Sequence, residues 1–381
     1  MRAAEGPNRR VIGVLPGVGI GPDVIEGALE VVRAVEQVAG MNFEIVVGGA
    51  IGEQAEAECG KPLPDGTAAF CEKIFERGGA ILSGPGGGRY VYDLRRRFDL
   101  FCKFVPVNPW PELAGATRIL PEHLGGVDML IVRDNAAGVY QGRWRQRNGR
   151  GGRSTEHSFS YSEKQVRRLV EVSARAAASR RGRLHVILKD GGVPGISAMW
   201  RDVGKAVARE HGVEAIFMNV DLAAYQLIQH PASFDVMVTP NLFGDILADL
   251  AGVLVGSRGL TFSGNFDSQG HGVYQTNHGC AHDLEGRDVA NPAGQILSLA
   301  MLLRESFGCD YAAQLMESAL GTVWSQGWRT ADVNEPGCRV IGTRAMVGRI
   351  AGQVMRSAEK SATVGRAAAA ICLPEEKRAF A

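Results

Sequence analysis

Two aspartates stand four residues apart in the stretch NLFGDILADLAG, residues 241–252. On a helix that spacing puts Asp245 and Asp249 on one face, one turn apart, where two like charges repel. Two readings are open. The pair lies on a solvated face or near a helix start, or it is held together by a cation. Leu242, Phe243, Ile246, Leu247, Leu250 and Ala251 leave little width for a polar face, so the helix is predicted to be largely buried. Buried carboxylates persist when they are paired, hydrogen-bonded or bound to an ion. A hard divalent cation such as Mg²⁺ or Mn²⁺ suits one or two carboxylates completed by waters and substrate oxygens.

Four further stretches carry candidate chemistry. PGVGIGP, residues 16–22, follows an apolar strand and opens a helix, so its amides either face an anion or close a tight turn. It lacks the GxGxxG spacing of a dinucleotide fingerprint and the acidic residue that should follow. LRRR, residues 94–97, is either a carboxylate-recognition cluster or a surface patch. RWRQRNGRGGR places Arg143, Arg145, Arg147, Arg150 and Arg153 around Trp144. A nucleic-acid arm and a solvated or inter-subunit loop compete there, and the charge balance of the chain favours the second. The loop TNHGCAHDLEGRDVANPAG, residues 276–294, offers Asp283 as an acceptor for a ribose diol.

The elements that must position these residues follow from periodicity. RRVIGVLPG, FEIVVGGA, AILSG, LFCKFVPV, VDMLIVRD, LHVIL and FDVMVTPN are apolar, β-branched runs of strand length. Helical patterns alternate with them over 21–40, 65–78, 162–179, 196–210 and 291–308. This alternation predicts a layered α/β fold with a mostly parallel core. In 381 residues, 42 Lys and Arg balance 41 Asp and Glu, so no global field points to nucleic acid or a membrane surface as partner. Seven scattered cysteines without CxxC spacing and the absence of a long apolar run predict a soluble, cytoplasmic protein with reduced thiols.

Taken in order, VLPGVGIGPDV, LRRRFDLF, IVRDNAAGVYQG, NVD, FDVMVTPNLFGDILADLAG and HGCAHDLEGRDVANPAGQILSLAMLL resemble the β-decarboxylating dehydrogenases. These act on isocitrate, homoisocitrate, 3-isopropylmalate or tartrate. The resemblance implies the isocitrate/isopropylmalate dehydrogenase-like fold, with a large mixed sheet and a second, smaller domain carrying a dimer interface. The expected division is 1–105 with 250–360 as the cofactor-binding domain, 106–249 as the smaller domain, an arm at about 141–160, and a tail over 361–381. It further implies NAD and Mg²⁺ or Mn²⁺ as cofactors, a small 2-hydroxy acid as substrate, and a homodimer with shared active sites. Asp245 and Asp249 match metal ligands, and Asp221 matches a third that reaches the site from the other subunit. Arg95 and Arg133 match arginines that hold substrate carboxylates. Tyr140 matches the tyrosine that protonates carbon, and Lys189 the lysine that takes the hydroxyl proton. His278, Gly279, Asp283 and Asn291 match the adenosine end of the cofactor site. An acidic residue at Asp283 is similar to the NAD-dependent branches, since a carboxylate accepts from a ribose diol and repels a 2′-phosphate.

Several positions depart from the family pattern. The arginine that precedes proline in DLFCKFVPV is Val105, and Lys103, on the same side of the strand, is the available substitute. Lysine brings a point charge where arginine brings a fork. The family's Lys-Ala-Asn is Lys189-Asp190-Gly191, and one alternative alignment puts Asp190 on the lysine position; Lys189 needs no gap. Val18 replaces an acidic residue of the first glycine-rich loop, and Gln275-Thr276 a Glu-Pro. The departures gather around the substrate carboxylates and the nicotinamide end, which predicts a non-standard substrate. A non-catalytic regulatory paralogue and an ordinary member of the family are the alternatives.

Overall fold

A computed structural model describes residues 10–364. Ten strands form one mixed sheet: β1 (Arg10–Leu15), β2 (Phe43–Val47), β3 (Ala80–Ser83), β4 (Cys102–Val107), β5 (Met129–Asp134), and, after the hairpin strands β6 (Arg143–Gly149) and β7 (Gly152–Ser158), β8 (Arg183–Leu188), β9 (Glu214–Asn219), β10 (Val236–Thr239), β11 (Phe262–Phe266) and β12 (Gly272–Thr276). The order is β2-β1-β3-β12-β11-β4-β5-β10-β8-β9. Pairing is parallel toward both edges and antiparallel across β12, β11, β4 and β5. The sheet is therefore less parallel at its centre than the alternation of elements alone suggests. β4 and β5 are joined by a connection without a long helix, so they meet as antiparallel neighbours.

Helices cover both faces, which is why β1, β3, β5 and β10 are mostly apolar runs buried along nearly their whole length rather than alternating, with polar residues such as Arg133, Asp134 and Thr239 only at their ends. In chain order they are α1 (Gly21–Ala39), α2 (Gly52–Cys59), α3 (Asp65–Glu76), α4 (Tyr90–Arg97), α5 (Glu163–Ala178), α6 (Pro194–Glu210), α7 (Val220–Gln229), α8 (Asn241–Val255), α9 (Ala293–Glu305), α10 (Asp310–Ser325) and α11 (Thr343–Val364). Helix α9 is buried almost all round, between β11, β12 and α10. α5 starts at a capping box in which Ser162 and Gln165 satisfy each other's backbone amides. Of the tail expected over 361–381, residues 361–364 belong to α11 and the rest lies outside the described residues. Among the described residues no helix is long and apolar enough to cross a membrane.

The β6–β7 hairpin stands off the sheet with every residue exposed. Its strands pair only with each other, from Arg143 opposite Ser158 to Gly149 opposite Gly152. A two-stranded ribbon without a covered face is marginal on its own.

Candidate active site

The site is built where β4 and β5 meet the start of α8. Arg133, on β5, stands directly opposite Lys103 on β4, so both side chains leave the same face of the sheet. Asn241 opens α8 and ties it down: its Oδ1 accepts from Arg133 Nε and Nη2 at 3.2 and 2.9 Å, and its Nδ2 donates to the Ala137 carbonyl at 2.8 Å. The Arg133 guanidinium goes on to pair with Asp245. Gly244 makes that crossing possible, because a Cβ there would sit 2.1 Å from Thr239 Oγ1 and 2.8 Å from Arg133 Cγ. The Tyr140 hydroxyl donates to the other Asp245 oxygen at 2.8 Å.

Three cations converge on this carboxylate. Arg95, Lys103 and Arg133 are all buried, and Lys103 lies close enough to feel Asp245 and Asp249. Burial, then the charges of Arg133 and Arg95, hold the Lys103 ammonium well below its ordinary range. Burial and Arg133 likewise pull Arg95 down to about 9. Burial pushes Asp245 up, but Arg133 and the Tyr140 hydrogen bond outweigh it, and the carboxylate is held below its usual value. Burial, followed by the hydrogen bond to Asp245, raises Tyr140 to about 12, so the phenol stays protonated near neutrality.

Lys189, just after β8, and Asp221, in the first turn of α7, form a second, separate pair at 2.8 Å. That hydrogen bond holds Asp221 below the usual carboxylate range. Asp190 turns away to Arg201 at 2.6 Å, and its backbone N–H donates to Asn219 Oδ1. Of the two alignments, it is Lys189 that faces Asp221. Among the described residues, no hydrogen bond or ion pair joins this pair to the Asp245 cluster within one chain.

The face of α8 that carries the aspartates is more open than the apolar stretch predicts. Asp245 and Asp249 side chains are 40% and 51% exposed, and Ile246 is 55% exposed. The expectation of a largely buried helix therefore fails on this side. The chain's own core takes Leu247, Ala248, Ala251, Leu254 and Val255, with Phe243 and Leu250 packed against it, and leaves Ile246 and Val253 exposed, as are Leu222 and Tyr225 of the contacting helix α7. Asp249 pairs with Arg258 at 3.1 Å.

In the LRRR cluster, Arg95 turns inward, whereas Arg96 donates to Gln141 at 2.9 Å and Arg97 pairs with Glu72 on the surface. Val105 is sealed in the core, opposite Ile131. Two side chains at the site escaped the sequence reading. Asn241 sits in the motif itself, flagged only by its place after Pro240 at a helix start. The Tyr92 ring lies 5.4 Å from Tyr140 and 5.9 Å from the Arg95 guanidinium, from the segment GRYVYD whose periodicity does not fix side-chain directions.

Three amides of the glycine-rich turn are spent on the protein. Val18 N–H donates to the Pro85 carbonyl, Ile20 N–H to that of Cys280, and Gly21 N–H to that of Val18. Gly19 has φ +62°, and a Cβ on it would meet the Cys280 carbonyl at 2.1 Å, so the turn is structural and braces the 276–294 loop. In that loop three successive side chains bury a polar atom without a partner: Thr276 Oγ1, Asn277 Oδ1 and His278 Nε2. His278 Nδ1 lies 2.9 Å from the Gly279 carbonyl, and burial holds the ring below its ordinary pKa. Asn291 Oδ1 accepts from Ala293 N–H, and its Nδ2 donates to Asp332 at 3.1 Å. Asp283 is exposed.

Residues 11–350 match the family described as isocitrate/isopropylmalate dehydrogenase. The 3-isopropylmalate dehydrogenase of Cupriavidus metallidurans is 40% identical over 356 residues, covering 88% of this chain and 97% of that protein. That of Aquifex aeolicus is 35% identical over 356 residues, covering 89% and 95%. The crystal structure of isocitrate dehydrogenase from Methylococcus capsulatus superposes with a TM-score of 0.80 at 28% identity, over 91% of this chain and 99% of that one. With its mixed ten-stranded sheet and this extent of similarity, the chain belongs to the isocitrate/isopropylmalate dehydrogenase family and is a dehydrogenase of that type.

Proposed function

We propose that the protein oxidises, and then decarboxylates, a 2-hydroxy acid with NAD and Mg²⁺ or Mn²⁺, on a substrate that differs from the ordinary ones at one anionic group. The observation that carries the substrate reading is the exchange on β4. Val105 is closed into apolar core, and the third cation of the cluster is Lys103, opposite Arg133.

Both cofactors fit the residues present. Asp245, Asp249 and Asp221 offer only oxygen donors, the set preferred by a hard divalent ion, and Arg133 keeps Asp245 ionised as a ligand must be. The orphaned atoms of Thr276, Asn277 and His278 fit polar groups of a dinucleotide, with Asp283 and Asn291 further along the same loop. When bound, the ion supplies Lewis-acid polarisation of the substrate's hydroxyl oxygen and the dinucleotide accepts a hydride. The chain does the rest. Arg95, Lys103 and Arg133 hold the substrate's anionic groups. Lys189 takes the hydroxyl proton, with Asp221 beside it to orient and balance the ammonium. Tyr140, held protonated by burial and Asp245, returns a proton to carbon after carbon dioxide leaves.

A homodimer completes this proposal. Leu222 and Tyr225 of α7 and Ile246 of α8 are exposed apolar side chains on two helices that contact each other, and the β6–β7 hairpin has no covered face. A second subunit seated there brings Lys189 and Asp221 of one chain to Asp245 and Asp249 of the other. The domain division belongs to the proposal too: strands from 10–107 and 262–276 meet strands from 129–239 at the β4–β5 seam.

The test is NADH formation and carbon dioxide release with Mn²⁺ across 3-isopropylmalate, isocitrate, homoisocitrate, tartrate and 2-hydroxy acids bearing one carboxylate or a phosphonate, with Asp245→Asn as control. Turnover of 3-isopropylmalate at the rate normal for its dehydrogenases would return the chain to that activity. NADH from none of the acids, with nucleotide binding unchanged in the control, would point to a regulatory paralogue.

A further inference from the structure

Glu53, Cys280 and His282 bring a carboxylate, a thiol and an imidazole together where α2 meets the 276–294 loop, and each offers a ligand atom within 4.8 Å of the other two. We propose that they bind a borderline divalent cation of the zinc class, in a site that shares no residue with the aspartates of α8. Zinc bonds of about 2.0–2.3 Å in tetrahedral geometry set ligand atoms about 3.3–3.8 Å apart. His282 Nε2 and Glu53 Oε2, 2.8 Å apart, have to open by about an ångström or less, and both side chains are half exposed and able to swing.

The orientation of the imidazole supports a ligand role. Nε2 faces Glu53, while Nδ1 faces Glu285 Oε2 at 3.4 Å. A metal-bound histidine characteristically holds its second ring nitrogen against a carboxylate in this way. The backbone under the three ligands is fixed from outside the cluster: Ile20 N–H donates to the Cys280 carbonyl at 2.9 Å, and Glu53 N–H to that of Gly86 at 2.8 Å. Between Cys280 and His282, Ala281 adopts φ +46°, a left-handed conformation that lets the residues on both sides of it reach Glu53. The donor types separate this site from the other. A thiolate with an imidazole selects zinc-like ions, whereas the all-carboxylate set selects Mg²⁺ or Mn²⁺. Three protein ligands leave the fourth position to water or to a ligand atom.

The experiment is titration of metal-free protein with Co²⁺, followed by Zn²⁺. The expected result is a near-ultraviolet thiolate-to-cobalt charge-transfer band that saturates at a single equivalent and is abolished by Zn²⁺. Cys280→Ser should lose the band and Asp245→Asn should keep it. Glu53→Gln and His282→Gln, at exposed positions, should weaken Co²⁺ binding more than Glu285→Gln, whose effect should be about 10-fold. The proposal is overturned if wild type gives no thiolate band, if Cys280→Ser retains it, or if Asp245→Asn removes it.

Discussion

Replacing Lys103 by methionine should make the protein more stable and less active. The lysine is 5% exposed and shares its space with the buried guanidinium groups of Arg95 and Arg133. Burial and those two charges depress its pKa, outweighing the attraction of Asp245 and Asp249. A depressed lysine binds its proton less readily folded than unfolded. Its charge therefore costs stability at every pH below the unfolded value of about 10.4, and the cost grows as pH falls until the folded group is fully protonated. Methionine has a similar length and no charge, and exchanging buried ions for apolar groups of like volume commonly stabilises by about 1–4 kcal/mol. Lys103→Met should gain an amount in that range at pH 7, and the gain should shrink toward pH 10.

Substrate pays the opposite way. One charge-assisted hydrogen bond to a substrate anion is worth about 1.5–3 kcal/mol, which is about a 10- to 150-fold loss of kcat/KM. Urea unfolding at pH 7 and 9.5 reads the first effect as a shift of midpoint at constant slope. Steady-state kinetics on the best acid of the panel read the second. A substrate analogue should also raise the unfolding midpoint of wild type more than that of the variant. A variant that is destabilised by more than 1 kcal/mol yet turns over normally would make Lys103 a packing residue and remove the ground for an altered clamp.

Three further outcomes follow from other positions. His185 is held neutral by burial, assisted by the charge of Arg183, with its pKa lowered to about 4 from 6.5. Between those values the unfolded chain takes up a proton that the folded chain refuses, so wild type should lose about 2 kcal/mol relative to His185→Gln between pH 7 and 5; parallel stability profiles would exonerate His185. Tyr225→Asp, in the exposed α7 patch, should give monomers by sedimentation and lose turnover together with them, and an unchanged dimer would move the interface elsewhere. Asp283→Ala should lower kcat/KM for NAD by about 10- to 150-fold, the worth of one charged hydrogen bond, with little change for NADP; equal effects on both would remove Asp283 from the ribose.

What was legible in the sequence was period and order. Seven of the ten sheet strands lie where β-branched apolar runs stand, whereas β9, β11 and β12 carry no such run, and the spacing of Asp245 and Asp249 puts both on one helix face. Burial of that face was misjudged for a physical reason. An apolar helix declares that it will be covered, but not whether its own chain or another covers it, and α8 divides its apolar residues between the two sides. Pairing at the centre of the sheet was out of reach because β4 and β11 come from segments about 160 residues apart, and local pattern carries no register between them. Asn241 and Tyr92 were hidden for a related reason. Their roles are set by what crosses over them, Arg133 and Tyr140, and not by neighbours in sequence.

The exchange at β4 sharpens what kind of substrate difference to look for. On the proposed reading, a cation at position 103 in place of one at position 105 keeps the count of three positive groups with Arg95 and Arg133, so the cluster as a whole suits a polyanion. Geometry changes more than charge. Two residues along a strand are about 6.5 Å, and the new cation leaves the sheet beside Arg133, in place of the position that Val105 now fills opposite Ile131. On the proposed reading, a planar fork able to grip both oxygens of a carboxylate is replaced by a single ammonium that meets one oxygen at a time. A substrate matched to this arrangement keeps its overall negative charge but presents the second anion closer to the group held by Arg133, or through one oxygen. Among 2-hydroxy diacids, shortening the separation between the carboxylates should therefore raise kcat/KM, and a rise with lengthening would contradict the placement of Lys103 in the clamp.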